Sequence, residues 1–435
     1  MKKARKLLFF TMLSAFPAMA QFVKTAPYRA GEGLSFTTSS GANLKLGGFF
    51  QPMVEFKNYP KMADNAVSTR FRIRRMVARL SGSAKDAAIK YQLQVDLTGN
   101  SDGGGDATTN NYLMDAWVSW RPIRQIEMVA GQENSITDSR EMTMLSGALQ
   151  FPERSPLALA FSSVREFGFF VNGRFRPGKQ SILLPSISVT NGDGPNVFSK
   201  DRGGLKFGGR LDFQPFGTFA NGGASREVDM ERERTLKLVA GVFGSVNKGI
   251  SDRRGSQSGT YIYLDSLGKE VLPDYTKIGA DFLLKYRGFT LSGEWVKSSA
   301  SVPASIFNRI RTDGSSASTF LVNNIQDMPA YVRNRLILGS GVNFQAGYLF
   351  KNLYSVDARF CRLFPAQYSF LRNPTFYNRS KFFTLGLSRY LERSYGARIQ
   401  ASLTYSIAEP GSQTLDGRAL IGNDLGGTIM LVFSL

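Results

Sequence analysis

The sequence predicts an all-β fold: a transmembrane antiparallel β-barrel of about 16 strands, with long extracellular loops, short periplasmic turns and the third long loop folded into the pore. Three observations point there. Apolar and polar residues alternate with period two, over stretches of roughly 10 residues. The gaps between these stretches are alternately long and short. The chain opens with an export signal, yet no later run approaches the roughly 18 apolar residues of a spanning helix.

The signal comes first in the chain. Lys2, Lys3, Arg5 and Lys6 give a basic start, Leu7 to Phe16 is apolar apart from Thr11 and Ser14, and Ala18-Met19-Ala20 has the small-x-small form of a cleavage site. The apolar run is too short to span a bilayer, which takes about 20 residues. Residues 1–20 therefore read as a cleaved signal peptide, 21–40 as an N-terminal periplasmic segment and 41–435 as the barrel, placed in a bacterial outer membrane.

Alternation then places strands near 42–57, 68–82, 87–98, 112–121, 125–134, 165–176, 181–191, 203–215, 235–247, 275–287, 289–298, 338–350, 353–364, 380–391, 395–408 and 425–435. In the third, Ile89, Tyr91, Leu93, Val95 and Leu97 oppose Lys90, Gln92, Gln94 and Asp96. In the fifteenth, Ala397, Ile399, Ala401, Leu403, Tyr405 and Ile407 oppose Arg398, Gln400, Ser402, Thr404 and Ser406. A helix would repeat near 3.6 instead. Tyr112 and Trp120, and likewise Phe289 and Trp295, sit on the apolar faces of their strands, where rings favour the lipid–water boundary.

Gap length sorts by parity. The odd gaps (58–67, 99–111, 135–164, 192–202, 248–274, 299–337, 365–379, 409–424) are long, and most even gaps are tight turns such as Arg287-Gly288 and Lys351-Asn352. A soluble sandwich has no reason to sort loops this way. The exception, 216–234, carries the charged run Arg226 to Arg234 and reads as a solvated periplasmic excursion.

The chain carries a net +20, of which the signal supplies four charges, so anionic partners are favoured: phosphate-bearing solutes and lipopolysaccharide in the surrounding lipid, with nucleic acid set aside for an exported chain. Histidine is absent and Cys361 is the single cysteine, so no intrachain disulfide forms and the commonest metal ligand and general base are missing. No Ser/His/Asp set exists. Glu153 and Glu166 could be drawn as an acid–base pair, but carboxylates are common in constriction loops. Gly103-Gly104-Gly105 and Gly203-Gly204 precede no helix, so they are not phosphate loops. No enzyme, no cofactor and no metal site is expected.

Short pieces in order carry a family resemblance: Phe71-Arg72-Ile73-Arg74-Arg75, Asp115-Ala116-Trp117-Val118, Val129-Ala130-Gly131-Gln132, Pro152-Glu153-Arg154-Ser155, Arg165-Glu166-Phe167-Gly168, Asn191-Gly192-Asp193-Gly194, and Gly209 through Gly217. With these the chain resembles the phosphate-selective porin O and P family. The resemblance implies a homotrimeric channel whose third long loop, here 135–164, enters the pore, with arginines lining an anion path. Two departures stand out. Glu133-Asn134-Ser135-Ile136 replaces the family's usual Pro-Phe-Ser continuation, and the chain ends on Leu435, not an aromatic residue.

A channel needs an aqueous lumen, a narrow zone and charges that offset the desolvation of its ion. Guanidinium suits phosphate, with paired donors and a permanent charge. Arg70, Arg72 and Arg74 share one strand face. Arg140, Arg154 and Arg165 lie in or just after the third long loop, and Lys200 and Arg210 follow the fourth. These residues are the candidate basic lane for an anionic solute such as phosphate. The inward positions overall carry only a small basic excess, and arginines that merely order the wall are the plainer alternative. The rival to a diffusion channel is a closed structural or adhesive barrel working through its surface loops.

Overall fold

The structure is a computed structural model and describes residues 23–28, 30–58, 67–84, 86–98, 112–195, 202–256, 259–375, 377–413, 417, 419 and 422–435. The expected signal peptide and Lys200 lie outside the described residues.

Sixteen strands form the wall in chain order: β1 (Asn43–Asn58), β2 (Val67–Ser83), β3 (Ile89–Asp96), β4 (Leu113–Ile123), β5 (Ile126–Asn134), β6 (Arg165–Gly173), β7 (Ile182–Thr190), β8 (Lys206–Gln214), β9 (Lys237–Asn247), β10 (Asp274–Tyr286), β11 (Phe289–Ser301), β12 (Gly339–Leu349), β13 (Tyr354–Pro365), β14 (Arg379–Tyr390), β15 (Ala397–Ala408) and β16 (Asp424–Ser434). Each pairs antiparallel with the next. β16 pairs with β1, setting Thr428 opposite Glu55 and Phe433 opposite Phe50. The sheet is thereby closed, and a closed sheet has no bare edge to recruit other chains. β1 begins before the end of β16 is reached. There Leu34–Thr38 pairs with its overhanging start, Leu34 opposite Leu46, and Val23–Thr25 adds outside that.

The alternation sorts as the period-two pattern requires. On β14 to β16, Leu385, Leu387, Ile399, Leu403, Leu425 and Ile429 are exposed, while Thr384, Ser388 and Gln400 are buried on the inner face. Tyr112, Trp120, Phe289 and Trp295 are all exposed. So large an apolar outer surface is stable only against hydrocarbon.

β2 breaks the strict alternation. Gln51 faces Arg75 and Pro52 faces Ile73, so Arg74 is an extra residue, a bulge. Proline has no N–H to give the ladder, and strands accommodate it at such points. The bulge turns Arg75 inward beside Arg74. Read by period two alone, Arg75 would face lipid.

The odd connections include 135–164, 248–273 and 302–338; the even ones include 124–125, 287–288 and 350–353. The connection 135–164 runs inside the wall and bonds to β1, β2, β8, β10, β12, β13 and β15. It contains the short helix α1 (Pro156–Phe161), opened by Ser155, whose side chain accepts from the Ala158 N–H. Leu157, Ala160 and Phe161 of α1 pack with Phe243, Val296, Cys361 and Leu363 of the wall. Connections 248–273 and 302–338 form a cap with its own core, in which Tyr263, Leu272, Phe320, Val332 and Leu336 meet.

The even connection 215–236 overturns the expectation of a solvated excursion. Glu227, Val228, Asp229, Met230 and Glu233 are buried. Lys285 on β10 supplies a reason: its ammonium group donates to the carbonyls of Gly223, Arg226 and Val228 at 2.8, 2.8 and 2.9 Å. Asp229 in turn accepts from the Gly288 N–H at 2.7 Å.

Candidate pore and constriction site

The inner wall has two unlike halves. On β8 to β13, Lys206, Arg210, Lys277, Lys285, Asp357 and Arg359 are all buried, covered by 135–164 and 215–236. On β1 to β5 the inward face is mixed: Glu55, Arg72 and Lys90 keep 30%, 32% and 33% of their side-chain surface, while Gln51, Arg75, Gln94, Asp96 and Asp115 are buried. The water-reached charged side chains therefore lie on β1 to β4, while the constriction loop packs mainly on β8 to β13 and touches β1 and β2 through Gln51, Arg74 and Arg75.

Along β1 to β5 lie Arg70, Arg72, Arg74, Arg79, Lys90 and Arg121, with Glu55, Glu127 and Glu133 among them and Glu153 of the loop beside them. Arg72 donates to Glu55 at 2.7 Å. Arg74 pairs with Glu153 at the tip of 135–164. Arg75 donates to Gln51 at 3.0 Å and also reaches Glu153. Lys90 and Ser119 both donate to Glu127 at 2.9 Å, and Arg121 lies 3.3 Å from the same carboxylate. Arg70, opposite Glu55 in register, is exposed. Burial alone would raise the Glu153 carboxyl, but the Arg75 and Arg74 guanidinium groups hold it at about 2, so it stays charged.

The other expected lane residues sit elsewhere. Arg140 donates to Asp281 and to Asp212, each at 2.7 Å, and Arg210 forks onto Asp281 at 2.6 and 2.7 Å. This cluster pins the start of the loop to β8 and β10. Gly241 of β9 makes room for it, since any side chain there would strike Asp212, Arg210 and Arg140. Arg154 is buried and spends its donors on the loop itself, at the carbonyls of Glu141 and Met144 and the Ser146 hydroxyl. Arg165 donates to Asp115 at 2.7 Å. Glu153 and Glu166, drawn above as a possible pair, have separate partners: Glu166 pairs with Lys206 and accepts from Thr190 at 2.9 Å.

A further anchor went unread in the sequence. Asp138 pairs with Lys277 and accepts from the Ser163 N–H at 3.1 Å. Burial would raise its carboxyl, but Lys277 and Lys206 hold it below the usual value. At the short-turn rim, a cavity of about 490 Å³ is lined by Arg176, Lys179 and Lys237 together with Phe216 and Ile182, which gives that mouth a basic character.

A closed barrel, an arginine-bearing wall and an inserted third long loop coincide with a match to the phosphate-selective porin O and P family over residues 45–315. The chain belongs to that family. This porin is similar in structure to OmpF of Salmonella typhi (TM-score 0.52, 9% identity, 91% of this chain and 98% of that chain covered). It is also similar to an anion-selective porin from Comamonas acidovorans (TM-score 0.51, 10% identity, 91% and 100% covered). At such identities the likeness establishes the fold. No curated protein matches the sequence. Among the described residues, no cluster of side chains is suited to a metal ion.

Proposed function

We propose that this porin is a passive diffusion channel preferring small anions, with phosphate-bearing solutes as its natural class. The observation that carries the reading is the series Arg70, Arg72 and Arg74 on one face of β2, in which Arg70 and Arg72 meet water and Arg74 turns onto Glu153 of the constriction loop. Each guanidinium offers an anion donors that replace lost hydration, and none can be deprotonated at physiological pH. Glu55 and Glu153 share these arginines, which lets an anion be handed on instead of trapped. In this reading Arg140, Arg154, Arg165 and Arg210 do not line the path; Arg140, Arg154 and Arg210 hold the loop that shapes it, and Arg165 ties β6 to Asp115 of β4.

The test is block of chloride current by added phosphate in planar bilayers. Replacing Arg72 and Arg74 by alanine should weaken the block by roughly tenfold or more, since each lost charge-assisted bond is worth on the order of 1.5 kcal/mol. Unchanged block would count against the lane.

The family resemblance supports a homotrimer exported through a cleaved signal peptide, and the net charge supports contact with lipopolysaccharide phosphates. A second reading, a barrel acting through its surface, has one observation in its favour. The cap formed by 248–273 and 302–338 presents Leu267, Leu321 and Ile325 to solvent above its own core. A folded barrel that passes no current would favour that reading.

A further inference from the structure

We infer that the connection 215–236 is a second lumen insert. It enters from the short-turn rim, sets the bore jointly with the constriction loop, and uses Glu227 as the residue that positions that loop. The inference rests on the channel reading above.

A charged run such as Glu231-Arg232-Glu233-Arg234 would lose nothing by staying in water. Instead the segment before it is drawn inside and becomes dry. Val228 and Met230 join Ala148 of the constriction loop, Leu349 and Tyr390 of the wall and Tyr395 of the turn after β14 in one apolar cluster. The Tyr395 hydroxyl donates to the Val228 carbonyl at 2.7 Å. On the other side, Phe219 packs with Met144 and Leu149 of the loop and with Val239 and Leu283 of the wall. A segment that orders so many groups must gain that much in packing and hydrogen bonds to stay there.

The two inserts meet backbone to backbone. The Leu145 N–H donates to the Ser225 carbonyl at 3.2 Å, and the Glu227 N–H donates to the Ala148 carbonyl at 3.3 Å. Glu227 completes the junction with its side chain, which accepts from the Gln150 N–H at 2.5 Å and from the Gln345 amide of β12 at 3.1 Å. Gln345 also accepts from Arg359, which reaches Glu141 of the same loop at 3.2 Å. Glu227 thus ties the underside of the constriction loop to β12 while touching none of the water-facing arginines. Without the insert, the loop would be held only at its wall contacts, and the space beneath it would join the lumen.

The test begins with single-channel recording of the full-length wild type and of a variant in which 219–233 is replaced by a short Gly-Ser turn. The variant should conduct at least about twofold more, since current scales with open cross-section. An unchanged conductance would overturn the inference while leaving the channel reading intact; a wild type without current would instead overturn the channel reading.

Two further variants decide the matter even if the shortened barrel does not fold. Glu227→Ala should give a noisy current that flickers between levels, and Glu227→Gln, which keeps an acceptor for the Gln150 N–H, should restore a quiet one. An alanine variant as quiet as wild type would remove the positioning role. A cysteine at Val228 should react with a bulky maleimide at least about tenfold more slowly than one at Lys179 of the exposed turn, because reaction must await local opening. Equal rates would return the segment to solvent and overturn the inference.

Discussion

Arg75 of β2 donates to the Pro152 carbonyl and to the Glu153 carboxylate, each at 3.3 Å, so a bulge in the wall grips the tip of the constriction loop. Arg74 beside it pairs with the same carboxylate, and Arg72 lies 3.9 Å away. One loop carboxylate thus faces three wall cations. Its charge subtracts from the field an entering anion meets. Glu153→Gln should therefore shift the reversal potential in a KCl gradient further toward chloride, with conductance held within about twofold. A shift toward potassium would contradict this role.

Asp281 holds both Arg140 and Arg210 in a buried cluster. Asp281→Asn would leave two guanidinium groups under-paired away from water, which costs about 3–5 kcal/mol. Lower stability to heat or urea is expected, read from the folded and unfolded bands on a gel, with ion selectivity little changed. A variant as stable as wild type would show that the cluster does not anchor the loop.

The Asp138 anchor gives a pH dependence whose sign is fixed. Its carboxyl is held below the usual 3.8, so it contributes stability that is present above that value and lost as pH falls through the lowered one. Channel current should stay steady from pH 7 down to about 4 and become noisy only below, as the loop start loosens. Noise that begins near pH 6 would point to a different group.

Leu385 and Thr384 are neighbours on β14 with opposite environments, Leu385 being 64% exposed and Thr384 7%. Leu385→Arg should cost about 2–4 kcal/mol in refolding into lipid vesicles, as a cation on the hydrocarbon face does. Thr384→Ser should be nearly silent. Equal effects would contradict the assignment of faces.

The wall was legible because its signal is local. Every strand from β1 to β16 lies within three residues of its position read from alternation. The β2 bulge was not legible: its cause, Pro52, sits on the partner strand, and only the pairing shows that Arg75 turns inward. The insert was misread for a related reason. Glu227 and Asp229 look like solvent residues until Gln150, Gln345 and the Gly288 N–H are brought beside them from distant parts of the chain. The arginines show the same limit. Residue type alone does not separate Arg72, which faces water, from Arg154, whose donors are spent on nearby carbonyls.

The most direct test is current through a single wild-type channel in a planar bilayer with KCl at different concentrations on the two sides. A steady open current whose reversal potential shows chloride passing more readily than potassium is the predicted result. A barrel that inserts but stays silent, or one that favours potassium, would contradict it.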